Sequence, residues 1–212
     1  MNKLLIIVAV FISAQSAYSQ LSLGVVGSYG ITLGESSSKI LGTPEGRKSM
    51  EIGFMEAKNL PSIGISFSSD FGPLFANAEI HYRQNAYTFS IQNFLQIDEP
   101  MNYIEETSSI IHIPVVGGFK VGKLRLGVGP IFNFQMEQSK GKMLEFHIEE
   151  KKRNLQTGFL GSIGFDINRH LRVGIKYEHS FTKVGDDYKY AGKKLPLTST
   201  LNYMTFSVGI FL

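Results

Sequence analysis

The chain has 212 residues, 43% of them hydrophobic and 18% charged, a composition that suits one folded domain and excludes a disordered segment. It contains no Cys, which excludes disulfides, thiolate metal sites, a Cys nucleophile and a lipoprotein anchor. A net charge of +3 is too small for a nucleic-acid surface.

Residues 1–19 read MNKLLIIVAVFISAQSAYS. Lys3 precedes an apolar run from Leu4 to Ile12, and Ala17 and Ser19 form a small pair before an expected cut at Gln20. This is the pattern of a secretory signal. The apolar run is far shorter than the ~20 residues of a membrane-spanning helix. Loss of Lys3 leaves a mature domain, 20–212, with a charge near +2, and no later stretch is long and apolar enough for a spanning helix.

From Gln20 onward the period is two, as half-buried strands require. The first predicted strand, 21–33, puts Leu21, Leu23, Val25, Tyr29, Ile31 and Leu33 on one face. The second, 60–69, sets Ile63, Ile65 and Phe67 against Ser62, Ser66 and Ser68, and Asp70-Phe71-Gly72-Pro73 turns the chain. The third opens with Ala76, Ala78, Ile80 and Tyr82 against Asn77, Glu79, His81 and Arg83. Its parity then flips, because Tyr87, Phe89 and Ile91 carry the apolar face, and a bulge at Gln84-Asn85-Ala86 is expected. The fourth alternates Ile111, Ile113, Val115, Phe119 and Val121 with His112, Val116 and Lys120, ending at a Gly122-Lys123 turn.

The fifth alternates Leu124, Leu126, Val128, Phe132 and Phe134 with Arg125, Asn133 and Gln135. The sixth alternates Leu155, Phe159, Ile163, Phe165 and Ile167 with Gln156, Ser162 and Asp166, and turns at Asn168-Arg169-His170. The seventh alternates Leu171, Val173, Ile175, Tyr177 and Phe181 with Arg172, Lys176, Glu178 and Ser180. The eighth alternates Met204, Phe206, Val208, Ile210 and Leu212 with Thr205 and Ser207. Short turns follow the second, fourth and sixth strands. Long polar segments (34–59, 92–106, 138–153, 184–199) follow the others. No stretch has a helical period, and 140–153 reads as strand extension or loop.

Alternation alone does not say which face is wet. Three features favour an outer-membrane barrel over a soluble one. The second face is rich in Gly and Ser with few, mixed charges, which suits the cramped interior of an eight-stranded barrel. Short turns at one end and long loops at the other match the outer-membrane arrangement. The chain stops inside an apolar strand, which a closed barrel would pair with its first strand, since no unpaired edge survives in lipid.

Five segments carry a resemblance: LFANAEIHYRQNAYTFSI (74–91), IIHIPVVGGFKVG (110–122), LRLGVGPIFNFQM (124–136), LQTGFLGSIGFDI (155–167) and LRVGIKYEHSFTKV (171–184). In them the chain resembles the PorT-like outer-membrane β-barrel domain family of Bacteroidota. The resemblance implies an eight-stranded outer-membrane barrel without a shared catalytic motif. Some members serve type IX secretion and gliding, a role that no residue here marks. Many outer-membrane proteins end on an aromatic residue, whereas here Phe211 is followed by Leu212.

The expected interior charge network comprises Glu79, His81, Arg83, His112, Lys120, Arg125, Asp166, Arg172, Lys176 and Glu178, paired because charges in low dielectric must be. The expected lipid-facing set comprises Tyr29, Ile63, Ile65, Tyr82, Ile113, Phe119, Phe132, Phe159, Ile175, Tyr177 and Phe206. The outward aromatics, with Phe67, Phe89, Phe134, Phe165 and Phe181, would form interface girdles. His81, His112 and Glu79 fall at similar heights, and a metal site there competes with plain hydrogen bonding. His179 and Ser180 suggest a hydrolase, but neighbouring strand residues point to opposite faces. Lys140, Lys142, Lys151, Lys152, Arg153, Lys189, Lys193 and Lys194 would meet lipopolysaccharide phosphates, or form a solvated surface with the interleaved Glu149, Glu150, Asp186 and Asp187.

The reading is an all-β, eight-stranded antiparallel up-and-down transmembrane β-barrel in the outer membrane, non-enzymatic, with a structural or interaction role. The alternatives are an accessory subunit of a secretion or assembly complex, a lipid-modifying enzyme, and a soluble periplasmic carrier. No cofactor or metal is expected. Expected partners are outer-membrane lipid, with lipopolysaccharide and an envelope-complex protein as further candidates, and the barrel-assembly machinery during insertion.

Overall fold

Period-two sequence with Gly at the tight turns folds here as one antiparallel meander. The computed structural model describes residues 20–33, 37–42, 48–59, 61–93, 101–138, 148–150, 155–183, 188–190, 193–194 and 200–212. The predicted signal segment, 1–19, lies outside them.

The strands are β1 (Gln20–Thr32), β2 (Ser37–Gly42), β3 (Lys48–Asn59), β4 (Ser62–Phe71), β5 (Leu74–Asn93), β6 (Asn102–Val121), β7 (Leu124–Gln138), β8 (Ile148–Glu150), β9 (Leu155–Asp166), β10 (Leu171–Lys183), β11 (Tyr188–Tyr190), β12 (Lys193–Lys194) and β13 (Thr200–Phe211). Pairing runs β5-β4-β1-β13-β10-β9-β7-β6 and returns from β6 to β5, so the hydrogen bonds form a ring. Nine strands contribute, because β4 pairs with the first half of β5 and β3 with its second half. The first and last ring strands meet along Gly24↔Phe211 to Thr32↔Tyr203. β8, β11 and β12 form a small separate sheet.

The turns Gly72-Pro73 and Gly122-Lys123 each need a residue in the left-handed region. Gly72 (φ 62°) and Gly122 (φ 61°) supply it without the penalty that a Cβ would impose.

Three expectations fail here. The segments 34–59 and 92–106 are not plain loops: β2 and β3 fill most of the first, and β5 and β6 run into both ends of the second. Twenty residues in each of β5 and β6 exceed the ~9–11 that cross a bilayer. No bulge interrupts β5, whose register with β6 is unbroken from His81↔His112 to Ile91↔Asn102. Phe89 therefore does not join the outward aromatics. It and Ile91 lie on the same inward face as Glu79 and Arg83 and are fully buried. The interior itself changes character at this level, from polar to an apolar cluster of Ile52, Phe54, Ala57, Phe89, Ile91, Ile104, Ile148, Leu201 and Tyr203. The register shift belongs to the facing strand β3, between Phe54 and Glu56.

Candidate functional site

The interior of the ring is the site where chemistry-bearing side chains converge. The small inward residues of β4, β9, β10 and β13 leave room for long charged ones to reach across. β5 and β10 stand on opposite sides of the ring, with three strands between them either way round. Two ion pairs span that distance. Lys176 on β10 donates to Glu79 on β5. Arg83 on β5 grips Glu178 on β10 through two N–H groups, at 3.0 and 3.2 Å. All four side chains are at least nine-tenths buried.

The two histidines flank these struts. They are register partners with ring centroids 5.9 Å apart. His81 Nε2 bonds Glu79 Oε2 at 2.6 Å, whereas His112 Nδ1 bonds Asn133 Oδ1 at 2.7 Å, with its Nε2 3.6 Å from Glu178. Each imidazole thus serves a different strut. Among the described residues no group of three or more His, Asp or Glu side chains is disposed to hold a metal ion. Asn77 donates to Oε1 of Glu79 at 2.8 Å, so the second carboxylate oxygen is also bonded, and Asn77 Oδ1 accepts from Ser66 at 2.8 Å.

A second charged layer lies nearer the short turns. Arg125 donates to both oxygens of Asp70 (2.7 and 2.6 Å) and, through Nε, to Asp166 (2.8 Å). Lys120 donates to Asp70 at 2.8 Å, and Arg172 donates to Asp166 at 2.7 Å and to Ser68 at 3.3 Å. The Arg172 guanidinium also stacks 4.3 Å from the Phe211 ring centroid. Phe75, Val116, Ile131 and Leu160 fill the β5, β6, β7 and β9 side of the interior. Between the two charged layers lies a cavity of about 50 Å³, room for one or two waters.

All ten residues of the expected charge network point inward and take part in these contacts. Of the expected lipid-facing set, Ile113 and Phe132 are half-buried register partners on the outward side, and the other nine are exposed there. Sequence reasoning missed Asp70, Asn77 and Asn133. Asp70 opens the turn signal Asp70-Phe71-Gly72-Pro73, yet it continues the even-numbered face of Ser62, Ser66 and Ser68 on β4. His179 Nδ1 bonds Asn202 at 2.6 Å, and Ser180 Oγ bonds the Thr182 backbone, so the two make no pair with each other. Of the loop cations, Lys189 is the backbone register partner of Glu149 and Lys194, and Lys193 that of Tyr190, in the small sheet. Lys140, Lys142, Lys151, Lys152 and Arg153 lie outside the described residues.

The outward side carries a broad apolar belt. Ile163 (57% exposed), Val128 (57%), Phe119 (63%) and Val208 (53%) belong to it. Water-soluble monomers rarely expose contiguous apolar surface beyond a few hundred Å², so this face calls for an apolar surrounding.

Residues 14–186 match the family model described as outer membrane protein beta-barrel domain. Among solved structures, the chain is similar to the outer membrane protein OprG from Pseudomonas aeruginosa, with 8% identity over 92% of this chain and 96% of that one and a TM-score of 0.48. It is similar to the outer membrane protease OmpT from Escherichia coli, at 7% identity over 91% and 96%, TM-score 0.46. It is also similar to the outer membrane protein AlkL, at 10% identity over 93% and 92%, TM-score 0.45. At those values nothing about activity transfers. No curated protein matches the chain.

Proposed function

The chain belongs to the outer membrane protein beta-barrel domain family and resides in the outer membrane in contact with lipid; from that premise we propose that it is a non-enzymatic, non-conducting barrel with a structural or interaction role. In this reading the ring counts as eight strands, with β3 and β4 sharing one place, and the mature domain starts at Gln20 after signal cleavage. The five segments resembling PorT-like barrels support a place in that narrower group.

The observation that carries the reading is the pair of struts Glu79–Lys176 and Arg83–Glu178, which join opposite walls, with a cavity of about 50 Å³ beside them among the described residues. Above them, toward the loop end, the interior is filled by the buried apolar cluster around Phe54, Phe89 and Ile91. The lipid-modifying alternative loses support because His179 and Ser180 are engaged separately. The carrier alternative needs Ile113, Phe132 and Ile175 to converge inside, and they lie on the outward side.

Planar-bilayer recording tests the proposal. The refolded full chain is expected to give no discrete conductance steps. Reproducible single-channel steps from the wild-type chain, absent from a protein-free control, would overturn it.

A further inference from the structure

At the end of the ring that carries the short turns, the interior opens into a bowl of about 790 Å³. Outer-membrane barrels turn that end toward the periplasm. The floor is the layer built on Arg125, and the rim is formed by Lys123 and Arg169 on two neighbouring turns. Among the described residues that line it, five side-chain cations (Lys120, Lys123, Arg125, Arg169 and Arg172) stand against two carboxylates, Asp70 and Asp166. The side-chain surplus is three.

Both carboxylates are already saturated. Each oxygen of Asp70 and of Asp166 accepts from a guanidinium or ammonium on the floor. They cannot neutralise the rim. Lys123 spends one N–H on the Ile167 carbonyl at 3.1 Å, and Arg169 spends its Nε–H on His170 at 2.8 Å. Both ring nitrogens of His170 are engaged, Nε2 by Arg169 and Nδ1 by the Phe211 carbonyl at 2.9 Å. Two ammonium N–H groups and the terminal guanidinium nitrogens remain for a ligand. A concave site with low-dielectric walls and one sign of surplus charge concentrates counter-ions.

We propose that this bowl binds a compact oxyanion, a phosphate or a carboxylate group, presented from the periplasmic side. The test uses the full chain refolded in zwitterionic detergent at low ionic strength, titrated by calorimetry with inorganic phosphate or with succinate, and with chloride at matched ionic strength as control. Saturable binding of one or both is expected. It weakens about tenfold in Lys123→Gln/Arg169→Gln, the size expected for two exposed charge contacts. It is unchanged in Lys58→Gln, whose ammonium lies near the loop end beside Glu56. Tighter phosphate binding assigns a phosphate-bearing ligand, and tighter succinate binding a carboxylate-bearing one. Absence of saturable heat beyond chloride, or equal affinity in the rim variant, overturns the proposal. If the double variant fails to fold on a heat-modifiability gel, Lys123→Gln alone decides, with about a threefold loss expected.

Discussion

Replacing Arg83 by Met tests whether the struts hold the walls together. The substitution removes both N–H donors from a Glu178 carboxylate whose side chain is 3% exposed, and leaves His112 Nε2, 3.6 Å away, as its nearest compensating group. Stripping one partner from a buried ion pair costs about 3–5 kcal/mol, since the remaining charge stays desolvated. Met keeps apolar volume near the Tyr203 ring, over which the guanidinium sits at 5.9 Å, so cavity formation adds little. With a urea dependence of roughly 2 kcal/mol per molar, the unfolding midpoint should fall by about 2 M. The folded fraction is read as the fast-migrating band of unboiled samples across a urea series. The double variant Arg83→Met/Glu178→Leu removes both charges and should recover at least about 2 kcal/mol of the loss, because well-packed apolar pairs often replace buried ion pairs at little cost. Two results refute the reasoning: a single variant within about 1 kcal/mol of wild type, or a double variant as unstable as the two single losses added together.

Glycine positions give a contrast on the two faces. A Cβ at Gly129 would come within 1.8 Å of the Val115 carbonyl oxygen on β6, whereas one at Gly161 meets nothing within 4 Å. Gly129→Ala should therefore abolish the fast-migrating folded band, while Gly161→Ala should refold with a midpoint within about 0.5 kcal/mol of wild type. Phe89→Ala should cost about 3–5 kcal/mol by opening a cavity in the loop-end cluster. If Phe89 faced lipid instead, the same gel series would register a far smaller loss.

Much of the architecture is legible in the sequence because period-two patterning and turn glycines are local signals. The faces of β1, β4, β6, β7, β9, β10 and β13 follow from alternation alone, and so do the turns at Gly72 and Gly122. What alternation cannot carry is the identity of the medium on each side at each height. Tyr87, Phe89 and Ile91 look like a face change because apolar residues suggest lipid, yet the interior is itself apolar at that level and the register never slips. β3 is hidden for a related reason: the extra residue between Phe54 and Glu56 breaks its alternation, and Ile52, Phe54 and Ala57 serve the apolar interior rather than the lipid belt. The ion pairs were foreseeable as a set, since inward charges must find partners. Which carboxylate meets which cation depends on the spacing across the ring, and that placed Glu79 with Lys176 and brought Asp70 out of the turn.

The central claim is the sidedness of the ring, and depth-resolved fluorescence tests it most directly. The chain has no Trp, so single Trp probes at Ile163 and Ile175, exposed 57% and 46% on the outward face, report without background. In vesicles containing lipids brominated along the acyl chain, both should be strongly quenched, and a probe at Tyr103 near the loop end should not be. Probes at Ile163 and Ile175 that resist brominated lipid and are quenched by aqueous acrylamide would contradict the account.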